Sequence, residues 1–260
     1  MHDLAQIDPA RGALLVVLAL AGVVAGFFNT VAGAGSLLTV PVLLLVGMPA
    51  DAANATNRIG VLAQSAVGVV GFGRAGVLDR AALARTAPAA VVGGLVGAWL
   101  STLVPPAILT WVLLATLLEV AFLMARKRTA AGAERPPPGP VRSALLLFGA
   151  GVYGGFAQAG VGLVLLAILA RTMRLDLVRA NALKVAIVGL FTIAALVVFA
   201  RAGAIRWFEG GVLAIGMVIG AAIAVRFAVK KSESLERAAV VAVVVAVLAV
   251  VAREVVAALG

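Results

Sequence analysis

Cysteine is absent from this sequence, and histidine occurs once, at His2. Disulfides, thiolate catalysis and Cys-based metal sites are thereby excluded, and a His-based metal site has no second ligand. Charge is scarce too, at 12% of residues, where a soluble domain carries about 25%. With 63% hydrophobic residues the chain cannot cover a water-exposed surface. It reads as an all-α polytopic membrane protein, with room for roughly eight to ten spans of ~20 residues. Acids are the scarcer sign, 11 against 21 Lys and Arg, giving +10. That excess does not point to nucleic acid, because the basic residues cluster between apolar runs, as the positive-inside bias predicts. No Walker motif, HExxH or GxSxG occurs, and Gly33-Ala34-Gly35 lacks the strand before it and the acid about 20 residues after it that a nucleotide fingerprint needs. The expectation is a protein that is not an enzyme and holds no metal or cofactor. An intramembrane enzyme or scaffold is the weaker rival, since no Ser/His, paired-acid or metal constellation is present.

What the chain does have is a duplication. Shifted by 127 positions and without a gap, Ala32, Gly33 and Gly35 fall on Ala159, Gly160 and Gly162. Ala53-Asn54-Ala55 falls on Ala180-Asn181-Ala182, and Phe72, Arg74, Ala75 and Gly76 fall on Phe199, Arg201, Ala202 and Gly203. Residues 12–128 form the first transmembrane repeat, 129–141 a cytoplasmic Pro-rich linker, and 142–258 the second repeat. The first apolar run, Gly12 to Ala32, reads as a span rather than a cleaved leader, because its leader is not basic and the run recurs at Gly139 to Ala159.

Each half breaks at its glycines and continues in a short apolar run, Ser36 to Gly47 and Leu163 to Ala170, the latter ending at Arg171. Twelve residues of helix reach ~18 Å, short of a ~30 Å hydrocarbon core. Matched short, Gly-interrupted segments point to a transporter's binding site, with kinked, closely packed helices as the plainer alternative. The runs from Ile59 to Gly73 and from Lys184 to Arg201 are too short to span between charges, so Arg58 and Lys184 must snorkel or sit at depth. Arg74 to Arg85 reads as a polar loop. The pairs Gly22/Gly26, Gly93/Gly97 and Gly216/Gly220 read as close-packing points. Trp99, Trp111 and Trp207 read as interfacial anchors. Glu119, the one acid well within a span, is either a proton-coupling group or a snorkelled partner of Arg126.

The basic residues also set the relation of the halves. If both short elements complete a crossing, the halves are two inverted repeats of about five elements each. With the linker in the cytoplasm, sixteen Lys/Arg then lie inside and five outside; parallel repeats give twelve and nine. Positive-inside favours inversion, with both termini outside.

Gly33, Gly35, Gly160 and Gly162 allow close backbone approach, and freed N–H groups near helix starts favour an anion. On the helix after the first break, Asn57, Gly60, Gln64 and Gly68 share one face, read either as a polar pathway or as a packing stripe. Asn54, Asn57, Gln64 and Asn181 are candidate hydrogen-bonding ligands of a small anion, and Arg58 and Lys184 its candidate countercharges.

Several stretches resemble a known family. They are Asn29-Thr-Val-Ala-Gly-Ala-Gly-Ser-Leu-Leu-Thr-Val-Pro41, Ala53-Asn-Ala-Thr-Asn57, Gly160-Val-Gly162 and Ala180-Asn-Ala-Leu-Lys184. They are similar to the sulfite exporter TauE/SafE family, also called the toluene sulfonate uptake permeases, over essentially the whole chain. The resemblance implies an inner-membrane carrier for sulfite, sulfonates or related organosulfur anions. Members often have three or more consecutive glycines where this chain has Gly33-Ala34-Gly35-Ser36, and many carry an acid near Asn29. The functional expectation is a secondary transporter of a small anion across the inner membrane, with an anion channel as the alternative. Its partners are the substrate and the lipid bilayer, and the oligomeric state is left open.

Overall fold

A computed structural model describes residues 9–31, 33, 35–125 and 138–228. Linker residues 129–137, the loop at 230–237 and the final span at 238–258 lie outside these residues, as does the side chain of Glu119, while 140 and 141 of the expected linker already belong to a helix. Within them the chain is all-helical: α1 (Pro9–Val31), α2 (Ser36–Leu45), α3 (Ala50–Arg74), α4 (Arg80–Leu103), α5 (Pro106–Ala125), α6 (Pro140–Phe156), α7 (Val161–Met173), α8 (Leu177–Arg201) and α9 (Trp207–Ala228). Four of the described helices are long and apolar enough to cross a membrane, at Leu14–Val31, Arg80–Leu103, Leu177–Arg201 and Trp207–Phe227.

The 127-residue register persists in the helix boundaries. Ala50 and Arg74 of α3 shift onto Leu177 and Arg201 of α8, and Arg80 at the start of α4 onto Trp207 at the start of α9. Arg58 and Lys184 therefore do not mark helix ends. At 25 residues and ~37 Å, α3 and α8 are each long enough to cross a membrane with the charge inside the helix. Two expected loops are shorter than the sequence suggests. Helix α4 starts at Arg80, because the Asp79 side chain accepts from the Ala82 N–H at 2.9 Å and caps it, so Arg80 and Arg85 are helical. Arg171 does not stop α7, which continues to Met173 and ends at Arg174 in the left-handed region.

Helix directions follow from side-by-side contacts. Gly68 and Gly189 lie against Val185 and Ser65, so α3 and its repeat mate α8 run antiparallel. Gly60 and Gly71 of α3 lie against Met217 and Val225, so α3 and α9 run parallel. Helices α1 and α9 also run parallel, glycine to glycine: a Cβ on Gly26 would sit 2.2 Å from the Met217 carbonyl oxygen, and one on Gly220 2.0 Å from the Val23 carbonyl oxygen. Parallel α4 and α6 make the corresponding joint, with Gly97 against Val152 and Gly155 against Gly94. All three Gly-xxx-Gly pairs from the sequence sit at these joints.

Since α3 starts at the end where α1 starts, α2 must return along α1. By the same argument α7 returns along α6. Each half thus opens with a helical hairpin whose second arm is short, about 15 Å for α2. One end of the bundle collects Arg74, Arg80, Arg85, Arg142, Arg171, Arg174, Arg179 and Arg226, while Arg201 and Arg206 lie at the other.

Candidate functional site

Helix α1 ends because Gly33 takes φ +80°, and its N–H donates back to the Phe28 and Asn29 carbonyls at 3.1 and 3.0 Å. This is a left-handed C-terminal cap that only glycine adopts without strain. Helix α6 ends at Phe156, and the chain turns through Gln158 at φ 58° and Gly160 at φ 71°, braced by the Tyr153 hydroxyl donating to the Ala159 carbonyl. The two breaks touch: a Cβ on Gly33 would lie 2.6 Å from the Gly162 carbonyl carbon. No side chain larger than hydrogen fits at either point.

A helix ending inside a bundle leaves carbonyls without intrahelical partners, and each end is served by the long helix of the other half. Asn54 on α3 donates to the Phe156 carbonyl at 2.6 Å and to Ser101 Oγ at 3.2 Å. Arg58, fully buried, donates to the Gly154 carbonyl at 3.1 Å and to the Gly155 carbonyl, and stacks 4.7 Å over the Phe199 ring. On α8, Asn181 donates to the Thr30 carbonyl at 2.6 Å. Lys184 donates to the Asn29 carbonyl at 3.0 Å and to Asn181 Oδ1. Each cation meets the negative end of a helix dipole, so the pair is accommodated at depth without a carboxylate.

Between the breaks is a small cavity walled by Asn29, Ser36, Gln64, Ser65, Gln158, Gly162 and Lys184, with Val161, Val185 and Val188. Its free volume is about 10 Å³, near the least that admits a water molecule. Two helix starts open onto it, α2 at Ser36 and α7 at Val161 and Gly162, and neither has a side-chain cap. Gln64 Oε1, Ser65 Oγ and Gln158 Oε1 are buried here without a hydrogen-bond partner, and buried polar atoms are as a rule satisfied. Lys184 and the first residues of two helices therefore line one polar chamber.

Of the ten residues singled out from the sequence, Gln64, Gly162 and Lys184 line the chamber, and Gly33 backs Gly162. Gly35 packs on Ala25 and Asn29, and Gly160 starts α7. Asn57 accepts from the Thr39 hydroxyl at 2.6 Å and ties α2 to α3. Asn54, Arg58 and Asn181 serve the helix ends and are not on the chamber wall. Within the Asn57 stripe, Gly60 and Gly68 are packing points while Gln64 lines the chamber. Neither cation snorkels.

Chamber residues outside those ten are Asn29, Ser36, Ser65 and Gln158, while Thr192, with Asn181 and Lys184, is the second-half counterpart of the Asn57 stripe. Ser65 and Thr192 are repeat mates, a pair of hydroxyls that the 127-residue register could have revealed. Gln158 Nε2 sits 3.5 Å from Thr192 Oγ1.

Residues 18–251 match the family model described as "Sulfite exporter TauE/SafE". Among curated proteins, a probable membrane transporter protein (ORF9) of Sinorhizobium sp is 26% identical over 225 residues, covering 85% of this chain and 86% of that one. The probable membrane transporter protein YfcA of Escherichia coli K12 is 28% identical over 231 residues, 88% and 86% of the two chains. A probable membrane transporter protein of Haemophilus influenzae is 26% identical over 234 residues, 88% and 90%. No solved structure matches the chain.

Proposed function

The chain belongs to the sulfite exporter TauE/SafE family and is a multi-pass membrane transporter, and from that premise we propose that it is a secondary carrier of a small anion, a sulfur oxyanion or sulfonate, across the inner membrane. The observation that carries the anion is the convergence of Lys184 with the uncapped starts of α2 and α7 on one buried chamber. Helix starts present N–H groups and partial positive charge to an anion, more strongly so away from water. The carrier reading over a channel rests on the touching backbones of Gly33 and Gly162, which close the centre to about one water. Antiparallel α3 and α8, together with basic residues gathered at one end of the bundle, support inverted repeats with that end cytoplasmic.

Thermal unfolding of the purified protein across sulfite, sulfate, thiosulfate, sulfonates and simple carboxylates tests the substrate class. The expected outcome is saturable stabilisation by one sulfur anion, since a ligand at 100 Kd stabilises by about 2.7 kcal/mol, and its loss in Lys184→Ala. A flat response to the whole panel would remove the anion reading. In liposomes a carrier concentrates its substrate against a gradient and a channel does not.

A further inference from the structure

Away from the chamber, on the outer face of the bundle, α3 and α9 run parallel and leave a trough of about 460 Å³ between their C-terminal halves. Its floor is small and apolar, with Ala66, Val70 and Gly71 from α3 and Ala222 from α9. Arg74 and Arg226 also line it, each in the last turn of its helix and each exposed. Among the described residues neither arginine has a carboxylate partner; the one ion pair found there joins Arg179 to Asp176. Each guanidinium is favoured by its own helix end, but that does not explain why two cations share one pocket above an apolar channel.

The repeat-related surface, between α8 and α4, provides an internal control. The 127-residue shift places Ile193 where the trough has Ala66, Val198 for Gly71, Leu95 for Ala222 and Trp99 for Arg226. Ile193, Leu95 and Trp99 are all exposed. The duplicated groove thus carries large apolar side chains and one arginine on one half, and is hollow with two arginines on the other. The hollow version lies at the arginine-rich end of the bundle.

We propose that the trough between α3 and α9 binds an anionic glycerophospholipid, its phosphate held between Arg74 and Arg226 and an acyl chain lying along Ala66, Val70 and Ala222. A bilayer supplies such molecules at this depth, and basic pockets between membrane helices are suited to their headgroups. The site is separate from the chamber and does not depend on the identity of the transported anion.

The test uses the full chain, stripped of lipid in a neutral detergent. Phosphatidylglycerol, phosphatidylcholine and phosphatidylethanolamine are titrated in turn, with thermal stability and native mass spectra as readouts. Phosphatidylglycerol is expected to stabilise saturably and to appear as a bound mass, with the two zwitterionic lipids much weaker. Arg74→Gln with Arg226→Gln should weaken its apparent affinity roughly thirty-fold, from about fivefold per basic residue. Ala66→Ile, Ala222→Leu and Arg226→Trp import the side chains of the repeat-related surface and should abolish binding while the protein stays folded. Should the refilled variant not fold, the single Arg226→Gln carries the test, with an expected loss of about fivefold. Equal response to all three lipids, or an unchanged phosphatidylglycerol response in the arginine variants, would overturn the assignment. So would a dimer that the refilling substitutions disrupt, because the trough would then seat a second copy.

Discussion

At the end of α6, Arg58 lies across two carbonyls with the Phe199 ring against its face, and Asn54 takes a third carbonyl. At the end of α1, Lys184 and Asn181 take two carbonyls between them, and Lys184 also faces the chamber. The asparagines are repeat mates, but the cations are one position out of step: Arg58 shifts onto Val185, and Lys184 onto Asn57. That one-residue stagger is about 100° around a helix. Lys184 lines the chamber, whereas Arg58 is enclosed. The two closures are built alike, and of the two cations only Lys184 also lines the chamber. The guanidinium, with its planar fork and stacked ring, suits a fixed closure; the ammonium, a point charge with three rotatable donors, can exchange partners.

Substitutions at the closures and at the helix joints can break this comparison or sharpen it. The largest effect is expected where both halves are alike. Gly26→Leu and Gly97→Leu each force a side chain into a backbone 2.2 and 2.0 Å from the would-be Cβ, and both should abolish folded protein in a detergent size-exclusion assay. Survival of one but not the other would show that the two joints are not equivalent. Next comes Arg58→Ala, which strips a buried helix end of its cation and should destabilise by about 3 kcal/mol or more, while the folded fraction keeps its anion response. Lys184→Ala should destabilise less and lose that response; if both variants lost only stability, the division of labour would fail. The smallest effect is expected for Gln64→Leu, which removes an unpartnered buried carbonyl. Stability should hold to within about 1 kcal/mol, and anion affinity should fall severalfold, read from the same thermal titration.

Most of the architecture was legible in the sequence because the duplication writes each boundary twice. The breaks, the two short arms and the glycine joints all follow from the 127-residue register and the spacing of small residues. The loop lengths were less legible, since Arg80, Arg85 and Arg171 read as loop charges although Asp79 and the continuing helices place them in regular turns. The chamber was only half visible. Gln64, Gly162 and Lys184 carry chemical signatures, whereas most of the groups the two cations hold are backbone carbonyls, those of Asn29, Gly154 and Gly155. A carbonyl has no letter of its own, so nothing in the sequence separates a cation that caps a helix from one that awaits a ligand.

The parallel joints have a consequence for how the protein is made. Helix α1 packs on α9, roughly 190 residues downstream, while α4 packs on α6 across the linker. At ~5–20 residues per second of synthesis, α1 waits on the order of 10 to 40 s for its partner. Its glycine face must spend that interval against lipid or a chaperone, and the first half leaves the ribosome without the surface that completes it. The two halves are therefore interlocked products of one assembly event, and a chain cut at the linker would have to recombine in the membrane before either half could settle.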